Sequence, residues 1–337
     1  MTTTEYGSPG ISQRTTLFAA KDMLMWAKPH MVLEKFALSK TLPANKSDTI
    51  KFRRPRPFSA FTTPLVEGVT PTATAFAYDD VSVSMKQYGQ LVEITDKIAD
   101  MHEDPVLQDA TTQVGENIGR TIEALCWAVV RAGTSVFYTN GTARTSVNTP
   151  INLNAIRAAV RFLDQQKAKP ITKVLSGSSD FSTRPVEGGF VAVCHTDMKA
   201  DIRNLQGFTP VAEYGTRTLV HEREFGTIEE IRFVTSADLN SFPDGGGVKA
   251  GASGTMVSTA GTSADVYPIV IFGQDSWGQV ALRGKDSVSP KIIPVGQLDK
   301  SDPLGQRGSV GAKFYHAALI LNQLWMTRIE CAATALS

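Results

Sequence analysis

Residues 49–84 read TIKFRRPRPFSAFTTPLVEGVTPTATAFAYDDVSVS. Ile50 and Phe52 alternate with Thr49, Lys51 and Arg53, which is the period of a half-buried strand. That pattern stops at Pro55 and Pro57, and Pro64 and Pro71 keep it broken. Each proline lacks an amide donor and restricts the residue before it, so the stretch is neither helix nor central strand. Alternation returns with Val81, Val83 and Met85, then changes parity to Tyr88, Val92 and Ile94, which predicts a bulge beside Gly89. One strand therefore leaves near residue 50 and another returns near residue 81, with a long excursion between them. A loop of that length inside a compact chain is uncommon and usually serves a function.

Charge sharpens the picture. Residues 28–56 hold eight Lys/Arg against two Asp/Glu, and residues 61–109 hold two Lys against nine Asp/Glu. Two accounts fit: the strands of one hairpin neutralise each other, or the basic flank of one copy meets the acidic flank of the next. Phe58, Phe61, Leu65, Phe76 and Tyr78 would be uncovered on a lone projecting hairpin, and such surface marks a partner interface. The candidate contact residues are Arg53, Arg54, Arg56, Phe58, Phe61, Glu67, Phe76 and Tyr78.

The remaining composition is that of a globular chain. Of 337 residues, 42% are hydrophobic and 20% charged, with a formal net charge of +1. That balance argues against a polybasic nucleic-acid or membrane ligand. No apolar run is long enough to span a membrane, and the polar start MTTTEYGSPGISQRTT lacks the regions of a secretory signal. Cys126, Cys194 and Cys331 are sparse and far apart, which suits reduced thiols in a cytoplasm.

Residues 1–48 read as an arm. Downstream, Asp104 is placed to cap a helix with Pro105 in its first position. Leu107, Ala110, Val114, Ile118, Ile122, Leu125 and Val129 then recur at helical spacing, which predicts a helix over 105–131 of roughly 40 Å. Gly115 and Gly119 weaken it but leave a smooth patch that another backbone can approach. An alternating α and β region follows: a helix capped by Asn152, short strands ITKVL and FVAVC, a helix TDMKADIRNL capped by Thr196, and a strand IEEIRFVTS. Residues 244–264 are low in complexity and read as a mobile surface loop. The tail returns to β patterning through YPIVIFG, GQVALRG and AKFYHAALILNQLWMTRIECAA.

Catalytic signals are weak. Cys194, His195 and Asp197 fall within four positions, but neighbours on a strand point to opposite faces. A thiol paired with His195 would have to be Cys126 or Cys331, both in apolar runs. The histidines are scattered singly, without HExxH, and His102-Glu103-Asp104 reads as a solvated acidic helix start. GQVALRGKD misses the phosphate-loop spacing, and Asp286 stands where that loop needs a hydroxyl. The glycines at 245–251 lack a dinucleotide site's strand-to-helix context, and GxSxG is absent. No catalytic, metal or cofactor site is expected.

Five stretches carry a resemblance: PLVEGVTP at 64–71, MKQYGQLVEITD at 85–96, EDPVLQDATTQVGENIGR at 103–120, CHTDMKADIRNL at 194–205 and DPLGQRGSVGAKFYHAALILNQLWMTRIE at 302–330. In wording and order the chain resembles the major capsid proteins of tailed phages, across most of residues 40–330. The resemblance implies an α+β, Hong Kong 97-type shell fold. Its parts would be an N-terminal arm (1–48), an extended loop (49–95), a peripheral domain with spine helix (96–149), an axial α/β domain (150–265) and C-terminal strands returning to the peripheral domain (266–337). It implies a structural protein without enzymatic activity or cofactor, assembling with itself as pentamers and hexamers into an icosahedral shell around phage dsDNA.

Scaffolding, portal and decoration proteins are the further partners implied, with no membrane and no sequence-specific DNA binding. The scaffold is expected to be a separate chain, because this one begins close to its arm. The setting implied is the virion, assembled in the host bacterial cytoplasm. Competing readings are a nanocompartment shell of the same fold, a cysteine hydrolase using Cys194, and an adhesin or tail component built from the same β elements.

Overall fold

The computed structural model describes residues 25–27, 30–43, 47–101, 106–173, 186–214, 219–251, 254–283, 288–297 and 302–336. Asp104, Pro105, His102 and Asp286, singled out above, lie outside them, as does most of the expected arm. A 3-10 turn, Leu33–Phe36, leads into β1 (Leu38–Pro43), β2 (Thr49–Pro55), β3 (Tyr78–Ser84) and β4 (Lys86–Thr95). Two helices follow, the short α1 (Asp96–Met101) and the long α2 (Val106–Val130). The middle holds β5 (Val136–Tyr138), α3 (Leu153–Gln165), β6 (Phe190–His195), α4 (Lys199–Arg203), β7 (Thr209–Pro210), β8 (Glu224–Ile228), β9 (Ile231–Ser236), β10 (Ala250–Gly251) and β11 (Gly254–Thr255). The chain closes with β12 (Val266–Phe272), β13 (Trp277–Arg283), β14 (Val288–Ile293), β15 (Arg307–Ile320) and β16 (Met326–Ala332).

These strands make two main sheets. A seven-stranded sheet runs β5-β16-β12-β6-β9-β8-β7, and a five-stranded sheet runs β1-β13-β15-β14 with β4 on β15. The hairpin β2-β3 stands apart as its own pair. In the larger sheet β6, β8, β9, β12 and β16 are buried on both faces, apart from the half-buried His195 at the end of β6. That is why β6 and β12 read as near-continuous apolar runs instead of alternating, while β8, β9 and β16 also bury polar side chains such as Glu224, Arg232, Arg328 and Glu330. Pro268 is tolerated in β12 because pairing with β6 begins only at Val270, leaving its missing donor on an unpaired edge.

Helix α3 covers one face of the larger sheet, packing Ile156, Ala159 and Leu163 on Phe190, Phe233 and Ile271. Asn152 caps it, its side chain accepting from the Ala155 amide at 2.8 Å. The long helix serves two cores. Its first half packs Val114 and Ile118 on Ile94, Val310 and Phe314 of the five-stranded sheet. Its second half packs Cys126, Trp127 and Val130 on Val191, Val234 and Phe272 of the other sheet. Ile122 borders both cores. The expected stripe therefore holds from Ala110 through Ile118, with Leu107 at its start exposed, and then rotates, leaving Leu125 and Val129 only half-buried. At Gly119 the predicted close approach is present: an added Cβ would lie 2.4 Å from the Ala27 carbonyl oxygen.

Four local expectations need correction. The parity change comes from a switch of sheets at Met85, whose amide bonds the Asp48 carbonyl at 2.8 Å. At Gly89 pairing with Lys313 is regular, and there is no bulge. Ile171–Lys173 form no strand, and the rest of ITKVL lies outside the described residues. IEEIRFVTS is split by a turn at Glu229-Glu230, with Glu229 at φ +50, into the ends of the hairpin β8–β9. Thr196 is not the cap: His195 caps the 3-10 turn Thr196–Met198, its Nδ1 accepting from the Asp197 amide.

The described residues of the low-complexity loop are also folded, not free. Asp265 accepts from the Asp244 and Thr259 amides, and Asp244 accepts from Ser258 and Ala260. Small polar residues there serve as turn ligands, which composition alone reads as mobility.

Candidate functional site

The three thiols are buried and protonated by their surroundings. Cys194 lies in the core beneath α3, its thiol 3.8 Å from the Val234 carbonyl, and burial pushes it up to about 12. His195 points the other way. Its Nδ1 lies 3.1 Å from the Asp197 carboxylate, which also accepts from the Tyr267 hydroxyl at 2.8 Å. The three residues thus form a cap and a surface brace, with the thiol on the opposite face.

The thiol and imidazole that do meet are Cys126 and His316, at 3.7 Å, a pair the sequence reading missed. Burial pushes the Cys126 thiol well up and the His316 imidazole down to about 4. A nucleophilic pair needs the reverse, a depressed thiol beside an imidazolium. Among the described residues no group of His, Cys, Asp and Glu is arranged to hold a metal ion. No described helix is long and apolar enough to cross a membrane. Two open recesses of about 160 and 220 Å³ lie side by side between β4 and α2 and share Gln90 and Asn117.

The hairpin gathers what the sequence reading singled out. β2 and β3 pair from Thr49 opposite Ser84 to Pro55 opposite Tyr78. Phe52 is buried at the base on Leu42, Val280, Ala317 and Leu319, with Ile50, Val81 and Val83 beside it. Higher up, charge takes over from burial. Arg53 forks onto Asp80 at 2.8 and 2.9 Å, and Arg56 donates to Asp79 at 2.7 Å. Arg54 reaches Asp79 at 3.5 Å. Hydrogen bonds from Arg56 and Arg53 hold the Asp79 and Asp80 carboxyls below the usual range. Of the two accounts of the charge pattern, the structure contains the intrachain one: the arginines neutralise their own hairpin.

Beyond Pro55 and Tyr78 no regular structure remains, and residues 56–77 span the tip. Phe58, Phe76 and Tyr78 form an aromatic column with ring centroids 6.0 and 4.7 Å apart, and Arg53 lies over the Tyr78 ring. The column caps the ladder but stays half in solvent. Farther out Phe61 is 81% exposed and Leu65 77%, with Glu67 exposed beside them and Gly68 turning at φ +75. Val66 and Val69, which the reading did not single out, are 68% and 62% exposed. Their spacing around Glu67-Gly68 was the available signal, a turn flanked by β-branched residues.

A family described as phage capsid protein matches residues 77–320. No curated protein matches the sequence. Among solved structures, the capsid of Ralstonia phage GP4 is similar at 12% identity and a TM-score of 0.63, covering 100% of this chain and 99% of that one. The cyanophage Pam1 capsid is similar at 11% identity and 0.61, covering 99% and 97%. The capsid of cyanophage P-SCSP1u is similar at 13% identity and 0.56, covering 91% and 89%. At such identities the likeness is one of fold.

Proposed function

This chain belongs to the phage capsid protein family, and we propose that its copies join into a shell by laying the tip of the β2–β3 hairpin on a neighbouring subunit. The chain is a structural shell protein with the Hong Kong 97-type fold. One observation supports the assigned role of the hairpin above the others. Its arginines are paired with Asp79 and Asp80 within the chain, while Phe61 and Leu65 at its tip are 81% and 77% exposed. The exposed tip is therefore largely apolar.

On this reading Phe58, Phe61, Phe76 and Tyr78 make the contact and Glu67 marks its edge. Arg53, Arg54 and Arg56 stiffen the limb that carries them. Residues 1–48 act as the arm, 96–149 and 266–337 as the peripheral body, and 150–265 as the axial domain. Because tip and receiving surface differ, the contact is heterologous, and heterologous contacts close into rings. Rings of five and six then tile a closed wall around packaged dsDNA, with each interface above about 1,000 Å². Scaffolding, portal and decoration proteins are its further partners, the virion its destination and the bacterial cytoplasm its place of assembly. The buried, protonated thiols support a protein without enzymatic activity.

Electron microscopy of the purified chain, alone and co-expressed with its neighbouring genes, tests the reading. Closed shells with five- and six-membered clusters are expected. Strictly monomeric protein under every condition would sink it.

A further inference from the structure

Ahead of β1 the chain crosses the long helix. The backbone of Ala27 sits against the bare surface of Gly119. Four residues further on, the Glu123 side chain, 1% exposed, accepts from the amides of Val32 and Leu33. Those amides open the 3-10 turn Leu33–Phe36, where the first donors have no partner within the turn. Val32, Leu33 and Phe36 enter the core beside Cys126 and Trp127. His30 anchors the start through Asp238, in the turn after β9, at 3.0 Å.

We infer that residues 30–36, with Ala27 ahead of them, form a strap across the long helix, and that the Glu123 carboxyl is a proton-sensitive clasp that sets how tightly the strap is held. Geometry lets the clasp work in either charge state. Oε2 lies 3.1 Å from both amides and Oε1 3.3 Å from that of Leu33, so a neutral acid carrying its proton on Oε1 keeps the two bonds to Oε2. The surroundings favour that neutral form. Burial pushes the carboxyl from 4.5 up to about 7, against the pull of the two amides, and Asp238 and Glu34 add repulsion. The facing groups are Glu34 on the strap's own turn, Asp238 with His30 across from it, and Cys126 on the helix.

The sign follows from the direction of the shift. A carboxyl that holds its proton more tightly when closed stabilises the closed strap most below about 4.5, and that stabilisation is lost as pH rises through about 7. The strap is tighter in acid and looser in base. With these two values, the open fraction rises about tenfold between pH 6 and pH 8.

Amide hydrogen exchange on the full chain, corrected for intrinsic chemical rates, reads this directly. Protection of the Val32–Phe36 amides is expected to fall about tenfold between pH 6 and pH 8, while the β12 amides change little. Glu123→Gln should abolish the response, and His30→Asn should keep it. A response that survives in Glu123→Gln, disappears in His30→Asn, or spreads equally to β12 overturns the inference. If Glu123→Gln does not fold, the wild-type and His30→Asn profiles decide alone: a strap-specific midpoint near 7 in both supports it, and its absence from either refutes it.

Discussion

The seven-stranded sheet and the β2–β3 hairpin are both β-structure, yet they are stabilised in opposite ways. In the sheet, strands such as Val266–Phe272 are buried on every residue, and packing against α3 and α2 fixes them. In the hairpin only the base is buried, at Phe52, and ion pairs and stacked rings carry the ladder outward. The difference separates two tasks. Burial stabilises the body of the subunit, whereas the exposed limb leaves apolar surface open, which on the proposed function is where another copy docks.

The largest effect tests that separation outright. Removing residues 57–76 and closing the hairpin with a short turn is expected to leave cooperative melting intact and to abolish shells in electron micrographs. Loss of folding would show that the limb belongs to the core. Next in size is Phe233→Ala in β9, a ring with 0% exposure. Removing it should cost about 3–5 kcal/mol, read as a lowered denaturant midpoint at unchanged slope. A small loss there would undo the contrast from the other side. The smallest effect concerns charge. Arg53→Ala removes an exposed pair, and exposed pairs contribute little. The subunit's melting midpoint should stay where it is at moderate salt; a clear drop would mean that the hairpin ladder is part of the cooperative core.

How far the sequence reveals this architecture depends on how local the causes are. The excursion at 55–78 was legible because prolines and alternation act on neighbouring residues. The extent of α2 was legible from its spacing, but not its twist of face, since the second core is assembled from β6, β9 and β12, far along the chain. β1 was hidden for the same reason: LSKTLP pairs in parallel with Trp277–Arg283, and nothing near it announces a strand. Among site residues, the exposure of Phe58, Phe61, Phe76 and Tyr78 was legible from their place on a projecting limb, whereas the stacking of three of them was not. The destination of the arginines stayed open until the register put Arg53 opposite Asp80. Cys126 and His316 are 190 residues apart, beyond any motif.

The long helix has a mechanical consequence. Its buried face turns over near Ile122, so spinning it about its axis to improve one core lifts side chains out of the other. It is a shaft keyed at both ends. A load on the hairpin enters the five-stranded sheet where Phe52 meets Ala317 and Leu319 of β15. From β15 it passes through Phe314 and Val310 into the first half of the helix, and the second half delivers it to the other sheet. A pull on the limb thereby reaches both sheets through packed side chains.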